Sequence, residues 1–109
     1  MAGPATNVAL GVGAAAALLC PGPVRVAGLT VTNPGSTTAY LQLFDALPAN
    51  VSLGTTLPIT PIAVPAGQTD DLILGGGWRR FDVAVTGAST STPTGSAAAT
   101  NMIVQVWVD

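Results

Sequence analysis

The amino-acid sequence predicts an all-β fold, an antiparallel two-sheet sandwich or jelly roll of seven or eight strands. Beyond residue 22 the chain consists of short stretches with alternating apolar residues, separated by Pro, Gly, Asn and Ser. The 109 residues include no Lys, Glu or His, so a helical domain would lack the residues that usually form its polar surface. A chain of this length forms one domain, with residues 1–22 as an apolar N-terminal arm or first strands and residues 23–109 as the sandwich.

The N-terminal region contains an apolar run at residues 8–20, which includes Val8 and Leu10 and ends at Cys20. It is too short to span a bilayer, and no Lys or Arg precedes it, which argues against a signal peptide. Because glycines interrupt any helix there, we expect one or two strands or an extended arm that lies along another protein. The lone Cys20 cannot form an internal disulfide and is expected to be a small buried hydrophobic residue.

The segment 24–46 is predicted to be a hairpin of two strands, 24–33 and 38–46. The apolar alternation of the first strand skips one residue at Gly28, which indicates a β-bulge. Residues 33–36, with the sequence Asn-Pro-Gly-Ser, have the composition of a turn.

The segment 57–64 is predicted to be a strand that contains two prolines, and we expect it at a sheet edge or at a bulge because proline cannot donate to a strand ladder. Residues 65–68 (Pro-Ala-Gly-Gln) predict the next turn, which leads into a strand at 71–74. Three glycines at 75–77 predict a flexible corner.

The C-terminal third is expected to contain two strands joined by a long loop. Phe81, Val83 and Val85 alternate with polar or small residues and predict one strand. The last strand, 102–108, has apolar residues on both faces, which indicates a central strand or one face covered by a partner. Residues 87–100 are predicted to be a low-complexity loop that is either mobile or held by another subunit.

The sequence offers little catalytic chemistry. There is no His for a catalytic triad, and the apolar neighbours of Cys20 do not activate a thiol. The adjacent Asp70 and Asp71 point to opposite faces of a strand, so no metal site is expected. We therefore expect a protein that is not an enzyme, with no catalytic residues, no cofactor and no metal. Three arginines are too few to follow a phosphate backbone, so nucleic acid is not an expected partner. A membrane is not expected either, because the apolar run 8–20 is too short to span a bilayer.

The low charge content points to protein partners. Only 7% of the residues are charged, against roughly 25% in an ordinary soluble domain. A chain of low solubility would explain this, but we favour a surface that neighbouring proteins cover. The segment Trp78, Arg79, Arg80 and Phe81 is the main contact candidate, together with Trp107, because Trp and Arg are enriched at interface hot spots. Alternatively, Trp78 caps the sandwich and the arginines pair with Asp71 or Asp82.

Three segments carry a resemblance to a known group of proteins: LTVTNPGSTTAYLQLFDA (29–46), LGTTLPITPIAVPAG (53–67) and MIVQVWVD (102–109). Together they resemble small β-sandwich proteins that decorate, or cement, the capsids of tailed bacteriophages. Gln42 stands where a Lys is common in that group, and GGGWRRFDVAV replaces a more typical Phe-x-x-Gly-Ile stretch. The resemblance implies a virion protein on the outer capsid surface, assembled in the host cytoplasm. Its implied partners are the major capsid protein and sister copies, as a dimer or trimer.

Two other functions remain open at this point. The first is a tail-fibre or surface adhesin, a carbohydrate-binding module in which Trp78, Trp107 and Asp82 would contact sugars. The second is a head–tail connector component, which would share the fold class.

Overall fold

The computed structural model describes residues 3–12, 15–73, 79–97, 99 and 102–108. These residues form nine strands and one short 3-10 turn, Pro48–Asn50. No helix in this part of the chain is long and apolar enough to cross a membrane. The strands are β1 Gly3–Val12, β2 Ala17–Pro21, β3 Val24–Thr32, β4 Ala39–Asp45, β5 Thr60–Val64, β6 Thr69–Ile73, β7 Arg79–Phe81, β8 Ala84–Thr90 and β9 Met102–Val108.

The strands form two antiparallel sheets, so the all-β prediction is confirmed. Sheet A has the order β1-β9-β3-β6, with β7 also paired to β3, and sheet B has the order β2-β8-β4-β5. The described residues thus form nine strands where the sequence predicted seven or eight. The additional element is the three-residue strand β7. Residues 1–22, expected as an arm or first strands, contribute β1 to sheet A and β2 to sheet B.

The core lies between the inner faces of the two sheets, as in a β-sandwich. Most strands contribute alternate residues, because successive side chains of a strand point to opposite faces; β2 contributes the adjacent Leu19 and Cys20, where its ladder with β8 shifts register. Cys20 belongs to this core, which confirms its prediction as a buried hydrophobic residue. The remaining core residues are Leu19, Val26, Leu29, Val31, Ala39, Leu41, Leu43, Val64, Phe81, Val85, Met102, Val104 and Val106.

The predicted hairpin of 24–33 and 38–46 is wrong, because β3 and β4 lie in different sheets. The reason is Asn33, which is fully buried where the chain crosses between the sheets. Its amide nitrogen donates to the carbonyl oxygens of Thr37 (2.9 Å) and Val64 (2.8 Å), and its Oδ1 accepts from the Gly35 N–H (2.9 Å). These bonds hold the connection as a crossing, whereas a two-strand turn would keep both strands in one sheet.

The single strand predicted through Phe81, Val83 and Val85 is also wrong. Phe81 ends β7 in sheet A, Asp82 and Val83 form a bend, and β8 begins in sheet B. Val83 is therefore exposed although its alternation with Phe81 suggested a buried position. Because β8 extends to Thr90, the predicted loop 87–100 starts only at residue 91.

Several local predictions are confirmed. The ladder between β3 and β9 shifts its register between Val26 and Gly28, which is the predicted bulge. Strand β5, with Pro61 inside it, lies at the edge of sheet B, and β9 lies between β1 and β3. The turn after β5 contains Gly67 at a φ of 70°, a conformation that glycine adopts without strain.

Two loops cover the outer face of sheet B, so that Gln42 and Phe44 are buried there as well. The Gln42 amide nitrogen donates to the Thr90 hydroxyl (2.7 Å) and to the Gly95 carbonyl oxygen (2.9 Å). The hydrogen bond to Gly95 ties the 91–97 loop to β4 of the same chain. The sequence had predicted a loop that is either mobile or held by another subunit. The 46–59 loop meets the 91–97 loop, since a Cβ at Gly54 would lie 3.5 Å from the Ser96 Cβ.

Candidate protein-interaction surface

The surface of interest lies at one end of the two-sheet body, where β4 finishes at Asp45 and β8 begins at Ala84. Strand β2 pairs with β8, and β5 pairs with β4. The last residues of β2 and the first residues of β5 therefore lie at this end as well. We call this the Asp45 end. The opposite end carries the connections at 33–38 and 65–68.

Asp45 organises this end by binding the bend between β7 and β8. Its carboxylate accepts the backbone N–H groups of Asp82 (3.1 Å), Val83 (2.8 Å) and Ala84 (3.3 Å). A carboxylate is suited to this role because it accepts several hydrogen bonds and forms stronger ones than a neutral group. Asp45 therefore fixes the point at which the chain passes from sheet A to sheet B.

A second crossing between the sheets lies beside the first. The Gly22 N–H, in the connection from β2 to β3, donates to the Val83 carbonyl oxygen at 3.1 Å. A Cβ on residue 22 would lie 2.5 Å from that same oxygen, so the two backbones approach more closely than any side chain allows. The two crossings form one rigid corner.

Exposed apolar side chains also lie at this end of the body. Among the side chains that the structure describes, five large hydrophobic ones are exposed, and four of these belong to the Asp45 end: Leu18 (46% exposed), Leu47 (48%), Leu57 (79%) and Val83 (49%). We call these four residues the apolar corner. The fifth, Ile103, lies near the start of β9 at the opposite end.

Backbone contacts locate the members of the apolar corner. Leu18 pairs with Thr86, whose hydroxyl donates to the carbonyl oxygen of Ala46, the residue before Leu47. Val83 lies in the bend that Asp45 holds. Leu57 lies two residues before Ile59, whose N–H donates to the Leu43 carbonyl oxygen in the C-terminal half of β4. Scattered single apolar residues are ordinary on protein surfaces, so it is the location of these four at one end that makes this end a candidate interaction surface.

All three arginines of the chain lie next to the apolar corner. In the ladder between β3 and β7, Arg25 pairs with Arg80 and Val26 pairs with Arg79. The Arg80 Nε lies 2.9 Å from the Asp82 Oδ1, which confirms that an arginine of this segment pairs with Asp82. The two side chains are 60% and 74% exposed, so this ion pair contributes little to stability.

The predicted contact residues have different outcomes. Phe81 is fully buried in the core, so its prediction as a contact residue is wrong. It packs inward because its partner in the ladder, Val24, packs against the core as well. Trp78 lies outside the described residues, and so do the side chains of Arg79, Trp107, Val8 and Leu10. In the backbone register, Val8 pairs with Gln105 and Trp107 pairs with Pro4 and Gly28. Leu10 lies within β1.

Sequence reasoning missed the apolar corner. Leu47 and Leu57 each stand directly before a proline in the loop between β4 and β5. A leucine beside a proline, outside any alternating run, is a signal that could have found both. Leu18 and Val83 gave no such signal, because each belongs to an apolar stretch that looks buried.

The described residues hold little reactive chemistry. No three His, Cys, Asp or Glu residues among them come together in a way that could hold a metal ion. Burial raises the pKa of the Cys20 thiol above its ordinary value, because desolvation disfavours the thiolate. The described part of the chain therefore offers a candidate surface for protein contacts and a buried thiol.

Comparisons with models of protein families, with curated proteins and with solved structures found no match to this chain.

Proposed function

We propose that this chain is a structural virion protein, a decoration or cement protein that binds the major capsid protein of a tailed bacteriophage. In this proposal the apolar corner contacts the capsid shell, and the protein acts on the outer surface of the head. The observation that carries the proposal is the grouping of exposed apolar residues at one end of a body with very few charges.

The strand order supports a jelly roll, the fold to which the proposal assigns the chain. When β7 is set aside, eight strands remain, and the first pairs with the last (β1 with β9) and the second with the second-last (β2 with β8). The next two pairs, β3 with β6 and β4 with β5, continue this series. Such a series is expected when one long antiparallel ribbon wraps into two sheets, and jelly rolls are frequent among viral capsid domains.

The apolar corner supplies contact energy of a useful size. Burying a large aliphatic side chain completely contributes about 1.5–3 kcal/mol, so four half-buried ones could add roughly 3–6 kcal/mol before association costs. One such contact is modest. A capsid carries many copies, and the sum over copies would stabilise the shell against internal pressure.

The experiment that tests the proposal compares two substitutions on the capsid. The double variant Leu47→Gln/Leu57→Gln removes two members of the apolar corner, and Ile103→Gln is the matched control at the opposite end. We expect the double variant to lose occupancy on purified virions, measured by quantitative mass spectrometry against the major capsid protein, while the control keeps it. Both variants should fold, because all three side chains are exposed.

Equal occupancy of the two variants would refute the role of the apolar corner. The copy number separates the remaining functions. A number comparable to that of the major capsid protein supports decoration, whereas a few copies per particle would indicate a connector or tail-fibre component. Absence from virions would refute the proposal as a whole.

A further inference from the structure

The outer face of sheet B carries a second buried patch that is separate from the core. Phe44 and Ala88 are buried, but neither belongs to the cluster of core residues between the two sheets. Gln42 pairs with Ala88 across the ladder of β4 and β8, and it is fully buried as well. The outer face of an antiparallel sheet commonly meets solvent. Whatever covers this patch therefore determines whether it can be reached from outside.

The cover over Gln42 is the segment 91–97, which we call the strap. It follows β8 at the end of the body opposite Asp45 and closes on itself, because the Ser91 N–H donates to the Ala97 carbonyl oxygen at 3.0 Å. Six of its residues are exposed, and none is buried. The strap thus covers the patch with backbone and buries no side chain of its own. Segments with few buried apolar contacts open at a low cost in free energy.

A single side chain ties the middle of the strap to the sheet. The Gln42 Nε2 donates to the Gly95 carbonyl oxygen (2.9 Å) and to the Thr90 hydroxyl (2.7 Å), and lies 3.5 Å from the Thr92 carbonyl oxygen. The Thr90 hydroxyl in turn donates to the Thr92 carbonyl oxygen at 2.7 Å. Thr90 belongs to the strand from which the strap leaves. Among the described residues, Gln42 is therefore the side chain that hydrogen-bonds the strap to a different strand.

The closed strap leaves one polar atom of this link unpaired. The Gln42 Oε1 is buried and has no hydrogen-bond partner among the described residues. A buried acceptor without a partner costs at least about as much free energy as one hydrogen bond contributes. What Gln42 gains at Nε2 by holding the strap is therefore offset at Oε1. When the strap lifts, Oε1 can accept from water, so opening recovers part of its own cost.

We propose that the strap opens and closes over the outer face of sheet B, with the Gln42 amide as its latch. Ala99, which follows the strap, packs against the core, so the strap lifts between Thr90 and Ala99 while the two-sheet body stays closed. Opening exposes the patch on the face that carries the exposed Leu18. One hydrogen-bonded side chain then controls access to this patch. The inference goes beyond the proposed function and does not depend on it, because free protein tests it.

The experiment places a thiol under the strap and uses Cys20 as an internal reference. In the full chain with Ala88→Cys, iodoacetamide labels each thiol at a rate set by how often it is exposed, and peptide mass spectrometry measures the two sites separately. Cys20 lies in the core and reports opening of the two-sheet body. We expect the thiol at position 88 to react at least about tenfold faster than Cys20 in native buffer, and at a similar rate in urea. Thr90→Cys, which nearly conserves volume, is a second reporter if Ala88→Cys does not fold.

Gln42→Glu tests the latch in the chain with Ala88→Cys. At about pH 8, well above the ordinary pKa of a glutamate, an ionised carboxylate cannot donate to the Gly95 carbonyl oxygen. The ratio of the rate at position 88 to the rate at Cys20 should therefore rise at least about threefold. A general loss of stability raises both rates and does not raise this ratio. Gln68→Glu is the matched control and should leave the ratio unchanged, because Gln68 is exposed in the 65–68 turn.

A disulfide that locks the strap gives an independent check. A Cβ at Gly54 would lie 3.5 Å from the Ser96 Cβ, which a disulfide can span, so Gly54→Cys/Ser96→Cys joins the strap to the 46–59 loop. Oxidation should lower the rate at position 88 to that of Cys20, and reduction should restore it. Because Gly54 has a φ of 85°, where a side chain is strained, the reduced form of the same variant is the reference.

Three results would overturn the inference. Equal rates at position 88 and at Cys20 in native buffer would show that the patch opens only together with the core. A ratio that Gln42→Glu leaves unchanged or lowers would remove the latch. Fast labelling at position 88 in the oxidised form would show that the thiol is reached by another route than the strap. Circular dichroism verifies that each variant folds.

Discussion

Replacing Asn33 by alanine tests the account of how the two sheets are joined. The side chain of Asn33 is fully buried and makes three hydrogen bonds, to Thr37, Val64 and Gly35, with lengths of 2.8–2.9 Å. Its backbone makes two more, because its N–H donates to the Gln68 carbonyl oxygen and its carbonyl accepts from the Gly67 N–H. Asn33 therefore links two of the connections between the sheets, 33–38 and 65–68, at the end opposite Asp45.

The structure sets the size of the expected effect. A typical intramolecular hydrogen bond contributes about 0.5–1.5 kcal/mol to stability, so losing three side-chain bonds should cost roughly 2–4 kcal/mol. The two backbone bonds remain in the variant. Domains of this size have unfolding free energies of about 5–15 kcal/mol, so the loss is a large share of the total.

Urea denaturation followed by circular dichroism measures the free energy of unfolding of the variant and of the natural chain. Asn50→Ala is the matched control, because Asn50 is exposed in the loop after β4 and should lose less than about 0.5 kcal/mol. Asn33→Asp adds a second test. An ionised carboxylate cannot donate to the carbonyl oxygens of Thr37 and Val64, so this variant should be at least as unstable at neutral pH. An Asn33→Ala variant within about 1 kcal/mol of the natural chain would refute the reasoning.

Two further predictions concern Gly22 and Cys20. Gly22→Ala should destabilise the fold by roughly 2 kcal/mol or more in the same assay, because its Cβ would lie 2.5 Å from the Val83 carbonyl oxygen; an unchanged midpoint would show that the corner yields easily. Burial raises the pKa of the Cys20 thiol in the folded state, so its contribution to stability is fully present below the unfolded value of 9.0 and is lost as the pH rises through the folded value. Iodoacetamide should therefore modify Cys20 slowly in native protein and rapidly in urea, and equal rates would contradict its burial.

Local chemistry made several elements predictable from the sequence. Pro61 implied an edge strand because proline lacks an N–H for the ladder, and β5 is at an edge. The skipped residue at Gly28 implied a bulge, which the register of β3 with β9 shows. These features depend on one or two residues and their immediate neighbours, so no knowledge of the tertiary structure was needed.

Long-range contacts decided the two elements for which the sequence-based prediction was wrong. The Asn-Pro-Gly-Ser stretch suits either a hairpin or a crossing between sheets, and the bond from Asn33 to Val64, 31 residues away, selects the crossing. The alternation of Phe81 and Val83 suggested one strand, but the Asp45 carboxylate turns the chain between them.

The same distinction holds for the surfaces. The sequence by itself determined an all-β chain with few charges and a clustered set of arginines, because composition and alternation are local properties. Only the tertiary structure gathered Leu18, Leu47, Leu57 and Val83 at one end, since these residues come from three separate segments of the chain. Only the strand register placed Arg80 opposite Arg25. Pairing between distant strands sets both arrangements, and alternation within a strand does not specify which strand will be its neighbour.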